Sequence, residues 1–265
     1  MTVETDHERV KRHHQRGLFN RVAASYDEFR QGYPDEVVGS IFEVSGLSTG
    51  SAVLEVGCGT GQLTQSLATH GLALTAIDIG PSMISGARGR VGGSVNFEIV
   101  SFEDFESRDG SFDLIVSATA FHWVDPEVQF TKSARLLRPG GWLAVLGTRE
   151  VYDDPFGTVL VDMWNVRNDD GGSGAEVSKP RPSLAERMSE TGLFEAPHTM
   201  NHSQHLVVPV EVVFGVENTR ATSLSWSASD QDEFAAEIRR HLQDHTEVTG
   251  TQQTSLTMAR VRSRP

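Results

Sequence analysis

Residues 52–62 of the chain read AVLEVGCGTGQ, a short apolar run that enters a loop with glycines at 57, 59 and 61. Glycine lets the backbone turn sharply and approach a ligand closely, and a helix after such a loop offers free N–H groups to an anion. The segment therefore predicts a strand, a ligand-binding loop and a helix, and it indicates a nucleotide-like ligand.

An alternation of strands and helices continues from this segment to about residue 150. Pro81 and Pro126 stand where a first helical turn is expected, and Asp125 is suited to cap the second of these helices. The predicted strands are 52–56, 72–78, 95–100, 112–117 and 142–147, and the predicted helices are 62–69, 81–90 and 126–137. This alternation predicts a parallel sheet with helices on both faces and ligands at the carboxyl ends of the strands.

Beyond residue 150 the pattern is irregular. We expect a polar loop at 169–174, a short helix at 184–191, and strands at 201–208 and 254–261. Ser229 and Asp232 resemble a capping box for a helix that runs to about His245.

Composition limits the classes of protein to consider. The chain has 265 residues, 38% apolar and 22% charged, which suits one sizeable globular domain, or one domain with an appended cap. Its net charge of −13 argues against nucleic-acid binding, and a single cysteine, Cys58, excludes an intramolecular disulfide. Residues 1–17 do not resemble a secretory signal, and 206–216 is too short to span a bilayer. We expect a cytoplasmic protein, a monomer or homodimer, with no membrane partner and no metal.

Two acidic residues refine the kind of ligand expected at the loop. A dinucleotide fingerprint requires Gly-x-Gly-x-x-Gly, and here the third glycine comes one residue early. Glu55 would repel a pyrophosphate but attract an ammonium group, and Asp78 stands where an acid can accept bonds from ribose hydroxyls. These features disfavour NAD, although both acids have alternative structural roles in the loop and in a turn or helix cap.

Five motifs in order make the chain resemble the class I S-adenosylmethionine-dependent methyltransferases. They are VLEVGCGTG (53–61), AIDIGPSM (76–83), SFEDF (101–105), GSFDLIVSATAFHWVD (110–125) and ARLLRPGGWLAV (134–145). The likeness is to small-molecule members (methyltransferase type 11/25-like), similar to trans-aconitate methyltransferase. It implies a Rossmann-like α/β fold with a seven-stranded, mostly parallel sheet and helices on both faces. It also implies an N-terminal helical cover (1–45), a cofactor-binding core (46–150), and a region that completes the sheet and forms an acceptor lid (151–265).

The resemblance assigns roles to individual residues. It implies S-adenosyl-L-methionine as cofactor, S-adenosyl-L-homocysteine as product and a small-molecule methyl acceptor. The implied cofactor-binding residues are Tyr26, Arg30, Glu55, Gly57, Cys58, Gly59, Gly61, Asp78, Ile79, Met83, Ser101, Phe102, Glu103 and Ala118. Many relatives have an aspartate where Ser101 stands, so Glu103 or a backbone carbonyl would have to meet the adenine amino group.

The acceptor side is less well defined by the sequence. His122 follows the fourth predicted strand and is the candidate general base, or a histidine that fixes the loop by hydrogen bonding. The candidate acceptor-binding residues are Tyr33, Phe121, Trp123, Arg149 and Tyr152. The alternative for Phe121 and Trp123 is packing, and the alternative for Arg149 and Tyr152 is a surface pair. An NAD(P)-dependent oxidoreductase and a non-catalytic cofactor-binding regulator remain as other hypotheses.

Overall fold

The computed structural model describes residues 18–30, 32–168 and 182–263, and it forms one seven-stranded sheet. The strands are β1 (Ala52–Val56), β2 (Ala73–Asp78), β3 (Asn96–Ile99), β4 (Phe112–Ala118), β5 (Leu137–Tyr152), β6 (His198–Pro209) and β7 (Glu247–Arg260). Their order is β3-β2-β1-β4-β5-β7-β6. Six of these strands run in one direction, and β7 runs in the opposite direction between β5 and β6. This topology confirms the predicted fold class. The predicted loop at 169–174 lies outside the described residues.

Ten α-helices accompany the sheet within the described ranges. They are α1 (Ala23–Phe29), α2 (Asp35–Ser45), α3 (Gln62–Ala68), α4 (Pro81–Val91), α5 (Pro126–Leu136), α6 (Phe156–Asn168), α7 (Leu184–Glu190), α8 (Val210–Asn218), α9 (Ala221–Leu224) and α10 (Ala228–Leu242). Short 3₁₀ turns at Phe19–Val22 and Phe121–Trp123 complete the set. None of the described helices has the length and apolar character needed to cross a membrane.

The sheet is buried on both faces, because successive residues of its central strands enter different cores. Val53 and Leu114 pack with α2 and α3, whereas Leu54 and Ile115 pack with α5 and α7, and all four are fully buried. Such two-sided burial explains why these strands are continuous apolar runs rather than alternating ones. The two cores hold the carboxyl ends of the strands in a fixed arrangement.

Strand β5 is much longer than the sequence predicts. The apolar run at 142–147 was the only signal for it, but β7 pairs with β5 from Trp142 to Tyr152. The residues after Gly147 alternate in character, and their ladder hydrogen bonds come from β7, which is distant in the sequence. The long strand carries the sheet beyond the carboxyl end of β4.

The start of α10 also differs from the prediction. Ser227, not Ser229, is the N-cap, and its Oγ accepts a hydrogen bond from the backbone N–H of Asp230 at 3.2 Å. The Ser-x-x-Asp pattern occurs twice at this helix start, at Ser227 and two residues later at Ser229. Trp226 packs on Phe234, with ring centroids 5.1 Å apart, and this contact favours the earlier start.

A third apolar cluster lies beyond the carboxyl end of the sheet, where α6, α8 and α10 pack on the ends of β5, β6 and β7. We call these three helices, with α9, the cap. Helix α1 packs against α8, and Gly215 of α8 makes this possible: a Cβ at that position would lie 1.9 Å from Cγ of Phe29. The N-terminal segment is therefore docked on the cap as well as on the core.

We expect Gly215→Ala to destabilise the protein by about 1–3 kcal/mol, because the added methyl group overlaps the Phe29 ring. Thermal unfolding followed by circular dichroism measures this as a lower Tm. Gly39→Ala is the matched control, since Gly39 is an exposed glycine in α2 with open space around its Cβ position. It should raise stability by about 0.5–1 kcal/mol, and a loss of stability in the control but not at Gly215 would contradict the packing described.

Candidate active site

The loop between β1 and α3 has a backbone that requires glycine. Gly57, Gly59 and Gly61 have φ angles of 71°, 55° and 91°, all in the left-handed region. A Cβ at Gly57 would lie 2.3 Å from the Cβ of Ala120, so a side chain is excluded by contact as well. The N–H groups of Gly57 and Cys58 donate to the carbonyl of Ile77 at 2.9 and 3.0 Å. The loop is thus fastened to the end of β2.

Asp78 connects this loop to the next one. Its Oδ2 accepts a hydrogen bond from the N–H of Gly59 at 3.0 Å, and its Oδ1 accepts from the N–H of Gly80 at 2.8 Å. Each carboxylate oxygen has two lone pairs, so the group has acceptor capacity beyond these two bonds. The carboxylate is held at the edge of a cleft.

That cleft, which we call the main cleft, lies at the carboxyl ends of β1, β2 and β4. It encloses about 680 Å³, part of it open to solvent. Predicted cofactor residues that line it are Tyr26, Gly57, Gly59, Asp78, Ile79, Met83, Ser101, Phe102 and Ala118. Trp123, predicted for the acceptor, also lines this cleft. The structure therefore brings together nine of the fourteen residues predicted to bind the cofactor.

The remaining predicted cofactor residues lie elsewhere. Glu103 does not line the main cleft, because its Oε1 accepts a hydrogen bond from the N–H of Asp125 at 2.9 Å. Cys58 and Gly61 belong to the loop but do not line the cleft, and burial raises the pKa of the Cys58 thiol, which disfavours a reactive thiolate. Arg30 lies in a neighbouring cavity. Its guanidinium donates to Thr219 of the cap at 3.3 Å.

Glu55 is buried beneath the loop and does not line the main cleft. Its Oε2 has no hydrogen-bond partner within bonding distance. Burial raises the pKa of the carboxyl to about 8; the nearby Thr64 hydroxyl lowers it in part, and the charge of Asp78 makes a smaller contribution that raises it. An unpaired carboxylate in such a place is costly, so the group favours the protonated form in the absence of a neighbouring cation.

Two further cavities adjoin the main cleft at Thr119, directly after β4. The histidine cavity contains His122, Gln129, Arg187 and Thr257 among its lining residues. The polar cavity contains Arg30, Tyr33, Glu150 and Gln252 among its lining residues and has a volume of about 400 Å³, part of it open to solvent. Thr119 lines all three spaces, so it marks the point where ligands in different spaces would meet.

The candidate base, His122, opens into the histidine cavity and packs beside Trp123, with ring centroids 4.7 Å apart. The surrounding protein partially desolvates the imidazole and lowers its pKa. The neutral form therefore predominates near pH 7, as a general base requires.

The candidate acceptor residues separate into different environments. Tyr33 lines the polar cavity, and its hydroxyl lies 3.4 Å from Oγ1 of Thr119. Phe121 contributes to the histidine cavity but is 2% exposed and packs in the core. Tyr152 is buried in the apolar cluster under the cap, and burial raises its pKa. Arg149 is exposed and donates to Gln253, because alternate residues of β5 face opposite sides of the sheet.

Sequence reasoning missed two contributors to the site. Thr119 is the one described non-glycine residue with a positive φ, 54°, which is unusual for a β-branched residue. Arg90 of α4 joins α1 to the glycine loop, since it forms an ion pair with Asp27 and donates to the carbonyl of Thr60 at 3.1 Å. A positive φ has no sequence signal in threonine, and the Arg90–Asp27 pair spans 63 positions.

Residues 54–145 match a family model described as a methyltransferase domain. The chain is 33% identical over 128 residues to an uncharacterised methyltransferase of Mycobacterium tuberculosis, which covers 48% of this chain and 51% of that one. It is 36% identical over 140 residues to a malonyl-[acyl-carrier protein] O-methyltransferase of Paenibacillus, covering 47% and 51%. The chain thus spans about half the length of these curated relatives. The matches confirm the predicted resemblance to methyltransferases over this segment.

Solved structures share the fold at low sequence identity. The YcgJ protein of Bacillus subtilis aligns with a TM-score of 0.55 at 16% identity, covering 87% of this chain and all of that one. A Haemonchus contortus phosphoethanolamine N-methyltransferase, solved with S-adenosylhomocysteine, aligns with a TM-score of 0.53 at 15% identity, covering 92% and 58%. The [4+2]-cyclase SpnF aligns with a TM-score of 0.52 at 19% identity, covering 87% and 82%. The narrower likeness to trans-aconitate methyltransferase stays a prediction.

Substitution of Glu55 by glutamine should change the pH dependence of stability. The folded protein binds the Glu55 proton more tightly than the unfolded chain does. This proton therefore contributes fully to the free energy of unfolding below pH 4.5, and the contribution is lost as pH rises toward 8. The difference in Tm between Glu55→Gln and the parent protein, measured without ligand, should therefore grow from pH 6 to pH 8. Within this window the free energy of unfolding of the parent protein should fall, relative to that of the variant, by about 1.4 kcal/mol per pH unit. A difference that does not vary with pH would show that Glu55 has an ordinary pKa.

Proposed function

We propose that this protein is an S-adenosyl-L-methionine-dependent methyltransferase that acts on a small molecule. The observation that carries the proposal is the main cleft, where a glycine loop that admits no side chain at Gly57 faces a carboxylate, Asp78, on the neighbouring strand end. The match of residues 54–145 to a methyltransferase domain supports the same conclusion.

The residues present suit this cofactor on chemical grounds. Asp78 offers carboxylate oxygens to a pair of ribose hydroxyls, and Ile79, Met83 and Phe102 provide apolar surface for an adenine ring. The unpartnered Oε2 of Glu55 beneath the loop suits an ammonium group nearby, which would lower the raised pKa of that carboxyl. A cationic ligand is also consistent with the net charge of −13.

S-adenosyl-L-methionine supplies a methyl group on a positively charged sulfur, and transfer yields S-adenosyl-L-homocysteine. The main task of the protein is then to align an acceptor atom for in-line displacement. Positioning of this kind can contribute roughly 7–11 kcal/mol to lowering a barrier. The rigid strand ends of β1, β2 and β4 fix one side of the site, and Thr119 marks the side from which an acceptor approaches.

The remaining assignments follow from this proposal. The N-terminal helices to residue 45 cover the cofactor, residues 46–150 bind it, and the cap within 151–265 covers the acceptor. Tyr26, Gly57, Gly59, Asp78, Ile79, Met83, Ser101, Phe102 and Ala118 bind the cofactor, whereas a cofactor-binding role for Arg30, which lines the polar cavity, stays a prediction from the sequence. The cytoplasmic location, the monomeric or dimeric state and the lack of a metal stay predictions from the sequence.

Two alternatives differ from this proposal in testable ways. An NAD(P)-dependent oxidoreductase is disfavoured by the glycine spacing and by the family match. The second alternative is a non-catalytic regulatory protein that binds the cofactor, because one fold can carry different functions: a neighbour with this fold is described as a [4+2]-cyclase. Binding and turnover must therefore be measured separately.

Titration calorimetry with S-adenosylhomocysteine tests the cofactor site. The parent protein should bind it, and NAD should give no heat of binding. Asp78→Ala should weaken the affinity by about 1.5–3 kcal/mol, the usual value for a hydrogen bond to a charged group. Asp244→Ala changes an exposed aspartate that does not line the cleft, and this variant should bind as the parent does. Equal affinity of Asp78→Ala and the parent protein would reject the ribose assignment, and NAD binding would favour the oxidoreductase.

We expect His122 to act as the general base on the acceptor. With labelled S-adenosylmethionine and an acceptor found by screening metabolite fractions, His122→Ala should lower kcat by about 10²–10⁴-fold. Affinity for S-adenosylhomocysteine should stay the same, because His122 lies outside the main cleft. An unchanged kcat at saturating acceptor would remove His122 from the mechanism.

A further inference from the structure

A band of polar residues interrupts the apolar face of the sheet beneath the polar cavity. On this face, cross-strand pairs of β5 and β7 are apolar at Ala144–Met258 and Leu146–Leu256, polar at Thr148–Thr254 and Glu150–Gln252, and apolar again at Tyr152. Because buried polar groups cost free energy unless they find partners, such a band is a poor way to fill a core. It lies where the polar cavity opens.

Gln252 is the clearest sign that the band has a ligand. It is 4% exposed and lines the polar cavity, yet its Oε1 has no hydrogen-bond partner. Most buried polar side-chain atoms in folded proteins are paired, so an unpaired carbonyl oxygen at a cavity wall indicates a missing hydrogen-bond donor.

Glu150, the cross-strand neighbour of Gln252, carries negative charge at the same wall. Its Oε2 lies 3.2 Å from Nη2 of Arg220, but the same guanidinium makes two shorter contacts, both 2.8 Å, with Glu217. Glu217 is fully buried and also accepts a bond from the indole N–H of Trp164 at 2.9 Å. One guanidinium thus serves two carboxylates, and the group of three has a net charge of −1.

The cavity has one other charged wall. Arg30 enters it from the end of α1, and its guanidinium donates to Thr219 and to the carbonyl of Val216. Tyr33 stays neutral, because burial raises its pKa. The cavity therefore has a cation on the α1 side and a carboxylate with an unpaired carbonyl on the sheet side.

We propose that the polar cavity binds the methyl acceptor through a protonated amino group held by Glu150 and Gln252. A carboxylate and an amide oxygen side by side suit the N–H donors of an ammonium group, and the Glu150 contact is charge-assisted. The inference rests on the proposed function, since it assigns this cavity to the acceptor. It makes Glu150 and Gln252 specificity-determining residues, and it makes the acceptor a small molecule whose ammonium group is the anchor, while a different atom with a free lone pair, on the Thr119 side, receives the methyl group.

Three probes of similar size and different charge test the proposal: benzylamine, benzyl alcohol and benzoate. Their binding to the full chain, with and without S-adenosylhomocysteine, is measured by saturation-transfer NMR at pH 7. Benzylamine should bind at least tenfold more tightly than the other two. Equal binding of all three, or no binding of benzylamine, would overturn the proposal. A preference for benzoate would assign the cavity to Arg30 and would also overturn it.

Variants identify the residues responsible. Glu150→Gln and Gln252→Leu should each weaken benzylamine binding at least fivefold. The matched controls, Glu247→Gln and Gln253→Leu, lie outside the polar cavity, on an exposed position of β7 and on the opposite face, and should bind as the parent does. Gln252→Leu should also raise Tm, because it replaces an unpaired buried carbonyl with an apolar group. A variant that loses stability and keeps amine binding would show a structural role and overturn the assignment.

Calorimetry with S-adenosylhomocysteine on the same samples separates the two proposals. If S-adenosylhomocysteine binds and the amine preference is missing, only the acceptor assignment fails. If the amine preference is present and S-adenosylhomocysteine does not bind, the proposed function fails and the cavity keeps its assignment as an amine site.

Discussion

The site depends on the sharp turn that the chain makes at Gly57, where β1 ends against Ala120. The turn has room for no side chain, and it brings the N–H groups of Gly57 and Cys58 onto the carbonyl of Ile77. These bonds join the ends of β1 and β2, and Asp78 then ties Gly59 to the same place. These backbone contacts fasten the ends of β1 and β2 to each other at the cleft, where the two apolar cores already hold the strands in place.

Charge is distributed around this turn in a way that suits a positively charged ligand. Glu55 is buried below the loop without a partner for Oε2, and Asp78 stands at the rim of the cleft. On the acceptor side, Arg220 is shared between Glu217 and Glu150. Burial alone would lower the pKa of Arg220, but the two carboxylates raise it overall. Carboxyl groups whose negative charge no cation fully balances thus occur on both sides of Thr119, at Glu55 on the cofactor side and at the Glu150–Glu217 pair on the acceptor side.

The core of the fold could be predicted from sequence, because local patterns determine it. The run at 52–62 contains its strand, glycines and helix start within eleven residues, and Asp125 caps α5 as its position before Pro126 predicts. Features that depend on distant pairing could not be predicted in this way. The length of β5 follows from β7 about one hundred positions later, and the choice of Ser227 over Ser229 as N-cap depends on where Trp226 packs.

The candidate site shows the same division. Residues that belong to contiguous motifs, such as Gly57, Gly59 and Asp78, lie at the cleft as predicted, whereas Glu103 is engaged by Asp125 and Arg149 faces away. Glu150 and Gln252 belong to no motif and meet only through strand pairing.

Helix α1 adds a kinetic consequence, because it carries Tyr26 against the main cleft and Phe29 against Gly215 of the cap. This short segment borders both the main cleft and the polar cavity, because Tyr26 lines both. If it must open before either the cofactor or the acceptor leaves, the dissociation rates of the two ligands are coupled.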